Sequence, residues 1–105
     1  MMITDELLLD NGYKKNRDNY YSAECLFQKR IKNGKGQTKY FINIYKYVFK
    51  HNDNVPLYEV RLVTEKEKYW LNILLYAIAN MTLEEIEKEV QNIWFNLDCK
   101  YYSLD

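Results

Sequence analysis

The sequence has few of the residues that build reactive or metal-binding sites. It contains one histidine and two cysteines, and His51 lies in a polar turn segment far from both thiols. This spacing does not match a zinc site, in which Cys and His ligands recur at short intervals. The three glycines form neither a phosphate-binding loop nor a dinucleotide-binding fingerprint. We therefore predict that the protein is not an enzyme and that it binds no metal and no cofactor.

Long apolar runs and net charge are also lacking. No apolar stretch approaches the roughly 20 residues of a membrane span, and the acidic start with its three leucines does not resemble a secretory signal. Together with two cysteines that lie far apart, Cys25 and Cys99, this predicts a cytoplasmic protein with reduced thiols and no membrane partner. A formal net charge of zero argues against bulk electrostatic attraction to nucleic acid.

The charge is nevertheless divided along the chain. Residues 1–13 carry a net −3, residues 14–50 a net +8 and residues 51–105 a net −5. Five cations cluster at the turn of a predicted hairpin: Lys29, Arg30, Lys32, Lys35 and Lys39. The aromatic residues lie at the other end of the same strands, whereas a platform for single-stranded nucleic acid needs both on one face. Nucleic-acid binding is therefore an alternative hypothesis, and a solvated basic turn that discourages edge pairing is the simpler interpretation.

Periodicity predicts the secondary structure of a single domain, residues 1–105. Residues 20–31 and 38–49 alternate around a Gly-containing turn, and residues 57–63 and 69–77 form a second hairpin around residues 64–68. Thr4 can cap a short helix that ends at Gly12, and residues 14–19 are predicted to be a loop. Thr82 with Glu85 forms a capping box before a long amphipathic helix. Its apolar stripe contains Leu83, Ile86, Val90, Ile93, Trp94 and Leu97.

The predicted fold class is α+β, in the order α-β-β-β-β-α. Four strands form an antiparallel meander, and the C-terminal amphipathic helix packs on one face of it. In the first hairpin we expect Phe27 to face Ile42, although a slip of two residues would keep the same faces. In the second hairpin we expect Leu62 to face Tyr69. By this pairing the first cysteine is an inert core thiol, and the second lies just beyond the last helix.

The reverse face, which we define as the side of the sheet opposite the C-terminal helix, is the predicted protein-binding surface. Its candidate contact residues are Phe41, Tyr45, Tyr47, Phe49, Trp70 and Tyr76. A partly open face of mixed aromatic and polar residues is typical of an interaction surface. The partner would be a foreign protein or a second copy of the chain, and a pocket for a small nucleotide signal under the tyrosines is a further alternative. Residues 1–19 could also fold back over this face, and the tyrosines could serve only as strand formers.

Several stretches resemble a loose set of small phage and prophage accessory proteins of low-GC Gram-positive bacteria. These stretches are "MITDELLLDNGYKK", "ECLFQKRI", "KYFINIYKY" and "TLEEIEKEVQNIWF". The resemblance is a pattern of elements across most of the chain and carries over no functional residue. It implies a protein in the host cytoplasm that binds a host protein, for example to inhibit a defence component such as a CRISPR nuclease.

Overall fold

The computed structural model describes residues 3–16, 23–48, 56–66, 69–78 and 82–101, with the backbone alone described for residues 56, 65–66, 69–78 and 97–101. The elements are α1 (Asp5–Asp10), β1 (Lys14–Asn16), β2 (Cys25–Lys32), β3 (Thr38–Val48), β4 (Pro56–Lys66), β5 (Tyr69–Ile78) and α2 (Leu83–Tyr101). The strands form one antiparallel sheet in the order β1-β2-β3-β4-β5. The predicted α+β meander with a C-terminal helix is confirmed, and one short strand is added to it.

The added strand, β1, was missed because its sequence shows no apolar alternation. All three of its residues are exposed, and Lys15 lies opposite Phe27 of β2. The strand is held by backbone hydrogen bonds to β2 and by the Lys15 side chain, which forms an ion pair with Asp5 at 3.5 Å. The loop predicted for residues 14–19 is therefore wrong for residues 14–16, and residues 17–19 lie outside the described ranges.

The strand registers differ from the expected ones, but most residues lie on the expected side of the sheet. Phe27 pairs with Ile44 rather than Ile42, a slip of two residues that keeps the residues from Cys25 to Ile31 on their predicted sides. Beyond a register irregularity at Ile31 and Lys32, Thr38 pairs with Lys32 instead of Ile31. Leu62 pairs with Ile73 rather than Tyr69, because β4 continues to residue 66 before the chain turns. The turn predicted at residues 64–68 is therefore wrong for residues 64–66.

Both helices pack on the same face of the sheet. Phe27 and Ile44 share one buried cluster with Leu8 of α1 and with Ile86 and Val90 of α2, and all five residues are fully buried. The predicted stripe of α2 is confirmed for its buried members, with Ile93 and Trp94 packed at the edge of the cluster; Leu97 lies outside the described side chains. The alternative that the N-terminal segment covers the reverse face is wrong for residues 3–13.

Local signals fix both ends of α1. The Thr4 hydroxyl accepts a hydrogen bond from the Leu7 amide at 3.1 Å. At the other end, the Tyr13 amide donates to the Leu8 carbonyl at 3.1 Å, and Gly12 adopts a φ of +88°. This is the Schellman arrangement, in which a residue with positive φ lets the chain leave the helix. The turn directs Tyr13 into the core and carries the chain on to β1.

We expect Gly12→Ala to lower the free energy of unfolding by about 1 kcal/mol, because an L residue is strained at positive φ. A Cβ at this position would lie 3.7 Å from Cε of Lys29, so the cost comes from the backbone and not from a clash. Gly34→Ala is the matched control, since a Cβ there meets open space without a positive φ. Urea unfolding of both variants measures the difference, and equal effects would contradict this assignment.

Candidate protein-binding face

Cross-strand pairs of β3 and β4 form the centre of the reverse face. Four successive pairs lie on this side: Phe41 with Val63, Asn43 with Arg61, Tyr45 with Glu59, and Tyr47 with Leu57. The pairs at the two ends are apolar, and the two between them carry the polar groups. At roughly 3.4 Å per residue, the row is about 20 Å long. It is flanked by Leu26, Gln28 and Arg30 of β2.

The polar groups in the middle of the row are held by one another. Gln28 donates a hydrogen bond from Nε2 to Oδ1 of Asn43 at 2.9 Å, and Asn43 is buried. Nε of Arg61 donates to Oε1 of Glu59 at 2.6 Å, and the Arg61 guanidinium lies 5.6 Å from the centre of the Tyr45 ring. The charged side chains are therefore neutralised and oriented within the chain itself.

The exposure of the row changes between its last two pairs, Tyr45 with Glu59 and Tyr47 with Leu57. Tyr45 is buried in a small cluster with Ala23 and Leu26, and Tyr47 packs half-buried against that cluster. Leu57, opposite Tyr47, is 38% exposed. Burial raises the pKa of Tyr47 and Glu59 raises it further, against the opposing effect of Arg61. Its hydroxyl therefore stays protonated at neutral pH, beside an exposed leucine.

The predicted contact residues of β3 lie on the reverse face, but they are not equivalent. Phe41 and Tyr47 are half-buried and accessible, whereas Tyr45 is 4% exposed and supports its neighbours. Phe49 lies outside the described residues. The backbone of Trp70 pairs with Glu65, which is a reverse-face register position.

A register irregularity in β5 changes the placement of the remaining candidate. Leu74 pairs with Arg61, but Tyr76 pairs with Val60, so Leu75 is inserted between the two pairs. Val60 is fully buried in the cluster under the helices. Because cross-strand partners share one side of a sheet, Tyr76 occupies a register position of the helix-covered face. Its predicted place on the reverse face is wrong.

The five cations of the first hairpin do not share one surface. Lys29 forms an ion pair with Glu87 of α2 at 3.2 Å, and Lys39 lies 5.3 Å from the ring centre of Trp94, also on α2. Arg30 donates to the Thr38 hydroxyl, while Lys32 and Lys35 are exposed near the turn. The sequence analysis did not predict that Lys29 contacts a helix. The available signal was its spacing of two residues from Phe27 and from Ile31, which places it on the same side of the strand. This division does not favour a continuous nucleic-acid surface.

In the described part of the chain, the side chains that could act as nucleophiles or metal ligands are buried or scattered. Cys25 is 2% exposed, and burial raises the pKa of its thiol, so its predicted place in the core is confirmed. Cys99 lies within α2, so its predicted place beyond the helix is wrong. In the described part of the chain, no group of three His, Cys, Asp or Glu residues could hold a metal ion; His51 is not in that part.

A depression of about 500 Å³ lies between α1 and the start of α2. Its walls are formed by Leu7, Asn11, Thr82, Leu83, Glu84 and Glu87. Both helices lie on the opposite side of the sheet from the tyrosines of the reverse face. It is therefore separate from the position at which a ligand pocket was predicted.

No protein family, curated protein or solved structure matches the chain. Over the ranges that the structure describes, no helix is both long enough and apolar enough to cross a membrane. The geometry of the reverse face is therefore the basis for assigning a function.

Proposed function

We propose that the chain is a non-catalytic accessory protein that binds another protein through the reverse face of its sheet. The observation that carries the proposal is the position of the helices. Both pack on the other face, and no described helix lies over the row of pairs from Phe41 to Tyr47. A surface that combines accessible apolar ends with satisfied polar groups between them has the character of a protein interface.

The accessible end of the row supplies a contact of suitable chemistry. Tyr47 and Leu57 lie opposite each other and present a half-buried aromatic ring and an exposed aliphatic group. Tyrosine is enriched among the residues that dominate binding energy. Because Tyr47 already packs against the buried cluster, little side-chain freedom remains to be lost when a partner binds.

The charged pair beside this contact lowers the desolvation cost when a partner covers this part of the face. Arg61 and Glu59 are bonded to each other, and Arg61 also stacks near Tyr45. A partner that covers them does not need to provide a counter-charge, because neither charge becomes unpaired on desolvation. We infer a partner surface that is largely apolar where it meets Tyr47 and Leu57.

The partner that we propose is a host protein in the bacterial cytoplasm. This part rests on the resemblance to phage accessory proteins, which makes defence components such as CRISPR nucleases the first candidates. If the partner is a nuclease, adding the chain in equimolar amount should lower its rate of DNA cleavage.

The experiment begins with capture of a partner from a lysate of a Gram-positive host and its identification by mass spectrometry. Affinity is then measured with the purified partner for the wild type and for Tyr47→Ala/Leu57→Ser. Loss of these two contacts is expected to weaken binding by at least about tenfold. The matched control is Phe95→Ser, which removes a side chain that is 58% exposed on α2, on the other side of the sheet.

The control should bind as tightly as the wild type. Thermal unfolding of each variant shows whether the fold is retained. A folded Tyr47→Ala/Leu57→Ser variant with unchanged affinity would exclude this face. Loss of binding in Phe95→Ser alone would transfer the site to α2.

A further inference from the structure

The two edges of the sheet are built differently. β1 is three residues long, exposed, and carries Lys14 and Lys15. β5 is ten residues long and contains neither a charged residue nor proline. Among the described residues, β4 pairs with one side of β5 and no strand pairs with the other side. Natural edge strands are usually kept short, charged or covered, and β1 is short and charged whereas β5 is neither.

Most of β5 is also regular enough to act as a template. Residues 69–74 pair with β4 without interruption, and the irregularity follows only after Leu74. Its composition is rich in aromatic and branched residues that favour strands. A strand of this length whose outer side pairs with no strand of the described ranges is a ready site for strand addition.

We propose that β5 pairs antiparallel with β5 of a second copy, giving a two-fold symmetric dimer with a continuous ten-stranded sheet. The chemistry of the strand favours a second copy as the occupant. An uncharged strand opposite itself brings no like charges together in any register, and a formal net charge of zero gives the two copies no net repulsion. The short basic β1 cannot serve as the complementary edge, so the assembly closes at two copies instead of growing into a filament.

This geometry has a consequence for the reverse face. Antiparallel pairing of two identical edge strands requires a two-fold axis perpendicular to the sheet. Both pairs of helices then lie on one side, and both reverse faces lie on the other. With about 4.8 Å between strands, the two copies of β3 would be roughly 24 Å apart, so that two Tyr47–Leu57 pairs share one surface. The dimer does not depend on the proposed function, since it forms through backbone groups of a different element.

The first test is the mass of the protein in solution by light scattering and sedimentation equilibrium. The wild type should reach twice 12.8 kDa as its concentration rises. Asn72→Lys/Leu74→Lys places charges at two reverse-face register positions of β5 and should return the mass to 12.8 kDa. Gln91→Lys/Asn92→Lys adds the same charge at exposed positions of α2 and should remain a dimer.

A second measurement needs no variant. Hydrogen exchange of the wild type, compared at low and high concentration, should show protection that increases in β5 and stays unchanged in β1. A monomer at every concentration would overturn the proposal. So would masses that continue beyond the dimer, or a dimer that persists in a folded Asn72→Lys/Leu74→Lys variant. If that variant does not fold, the exchange of β5 decides. Partner binding is followed separately with Tyr47→Ala/Leu57→Ser, so either proposal can fail without the other.

Discussion

Replacing Phe27 with alanine is expected to lower the free energy of unfolding by about 3–5 kcal/mol, the range for truncating a buried aromatic ring. Phe27 is fully buried in the cluster that joins the sheet to both helices. It pairs with Ile44 on one side and with Lys15 on the other, where the ammonium group lies 5.8 Å from the ring centre. The substitution therefore leaves a cavity at the place where α1 and α2 pack on β1, β2 and β3.

A matched control separates burial from residue type. Phe95→Ala removes the same side chain from an exposed position of α2 and should change stability by less than about 0.5 kcal/mol. Both variants are compared with the wild type by urea unfolding. A small domain has roughly 5–15 kcal/mol of stability in total, so the first variant should be close to unfolding at 37 °C. If the two substitutions cost the same, the cluster is not the core of this fold.

The second large effect is expected at Glu87, whose carboxylate joins α2 to β2 and to the connection between α1 and β1. Its Oε1 accepts a hydrogen bond from the Tyr13 hydroxyl at 3.1 Å and lies 3.2 Å from Nζ of Lys29. Tyr13 is 3% exposed, and burial together with Glu87 strongly raises its pKa, so the hydroxyl remains a donor. Glu87→Ala would leave this buried hydroxyl and a partly buried ammonium group without their acceptor. We expect a loss of about 2–3 kcal/mol.

The control for this substitution is Glu89→Ala, which removes an exposed carboxylate two residues further along α2 and should be nearly neutral. A double-mutant cycle of Glu87→Ala with Tyr13→Phe isolates the shared hydrogen bond. The two effects should be less than additive, because each substitution removes the same interaction. Strict additivity would show that the carboxylate and the hydroxyl act independently.

The sheet faces could be predicted from the sequence because alternation shows which residues of a strand share a side. It does not show which residues of the next strand they pair with. Alternation placed Phe27 and Ile44 together in the core, but it could not exclude a slip of two residues between β2 and β3. The slip comes from the turn. Asn33 Oδ1 accepts hydrogen bonds from the amides of Lys35 and Gln37 at 2.8 and 3.0 Å, which holds a five-residue loop. A side-chain turn of this kind competes with the shorter loop of two or four residues that the glycines suggested.

The candidate site was predicted only in part for the same reason. Alternation predicted the position of Tyr47 on the reverse face correctly. In β5, a single inserted residue shifts Tyr76 to a register position of the opposite face. The position of α1 depends on contacts distant in sequence. Asp5 forms an ion pair with Lys46 at 3.0 Å, and Leu8 packs among residues of β2 and β3. No local pattern encodes these contacts, so the side of the sheet that α1 covers could not be deduced from its composition.

Maleimide labelling of single cysteines along β4 tests most directly whether the reverse face is open. The four variants Leu57→Cys, Val60→Cys, Leu62→Cys and Val63→Cys are made in a Cys99→Ser background, with the buried first cysteine left in place. Residues 60 and 62 are fully buried under the helices, whereas residue 57 is exposed and residue 63 is half-buried. The variants at 57 and 63 should react much faster than those at 60 and 62. If all four react equally slowly, the reverse face is covered, and it is not available to a partner.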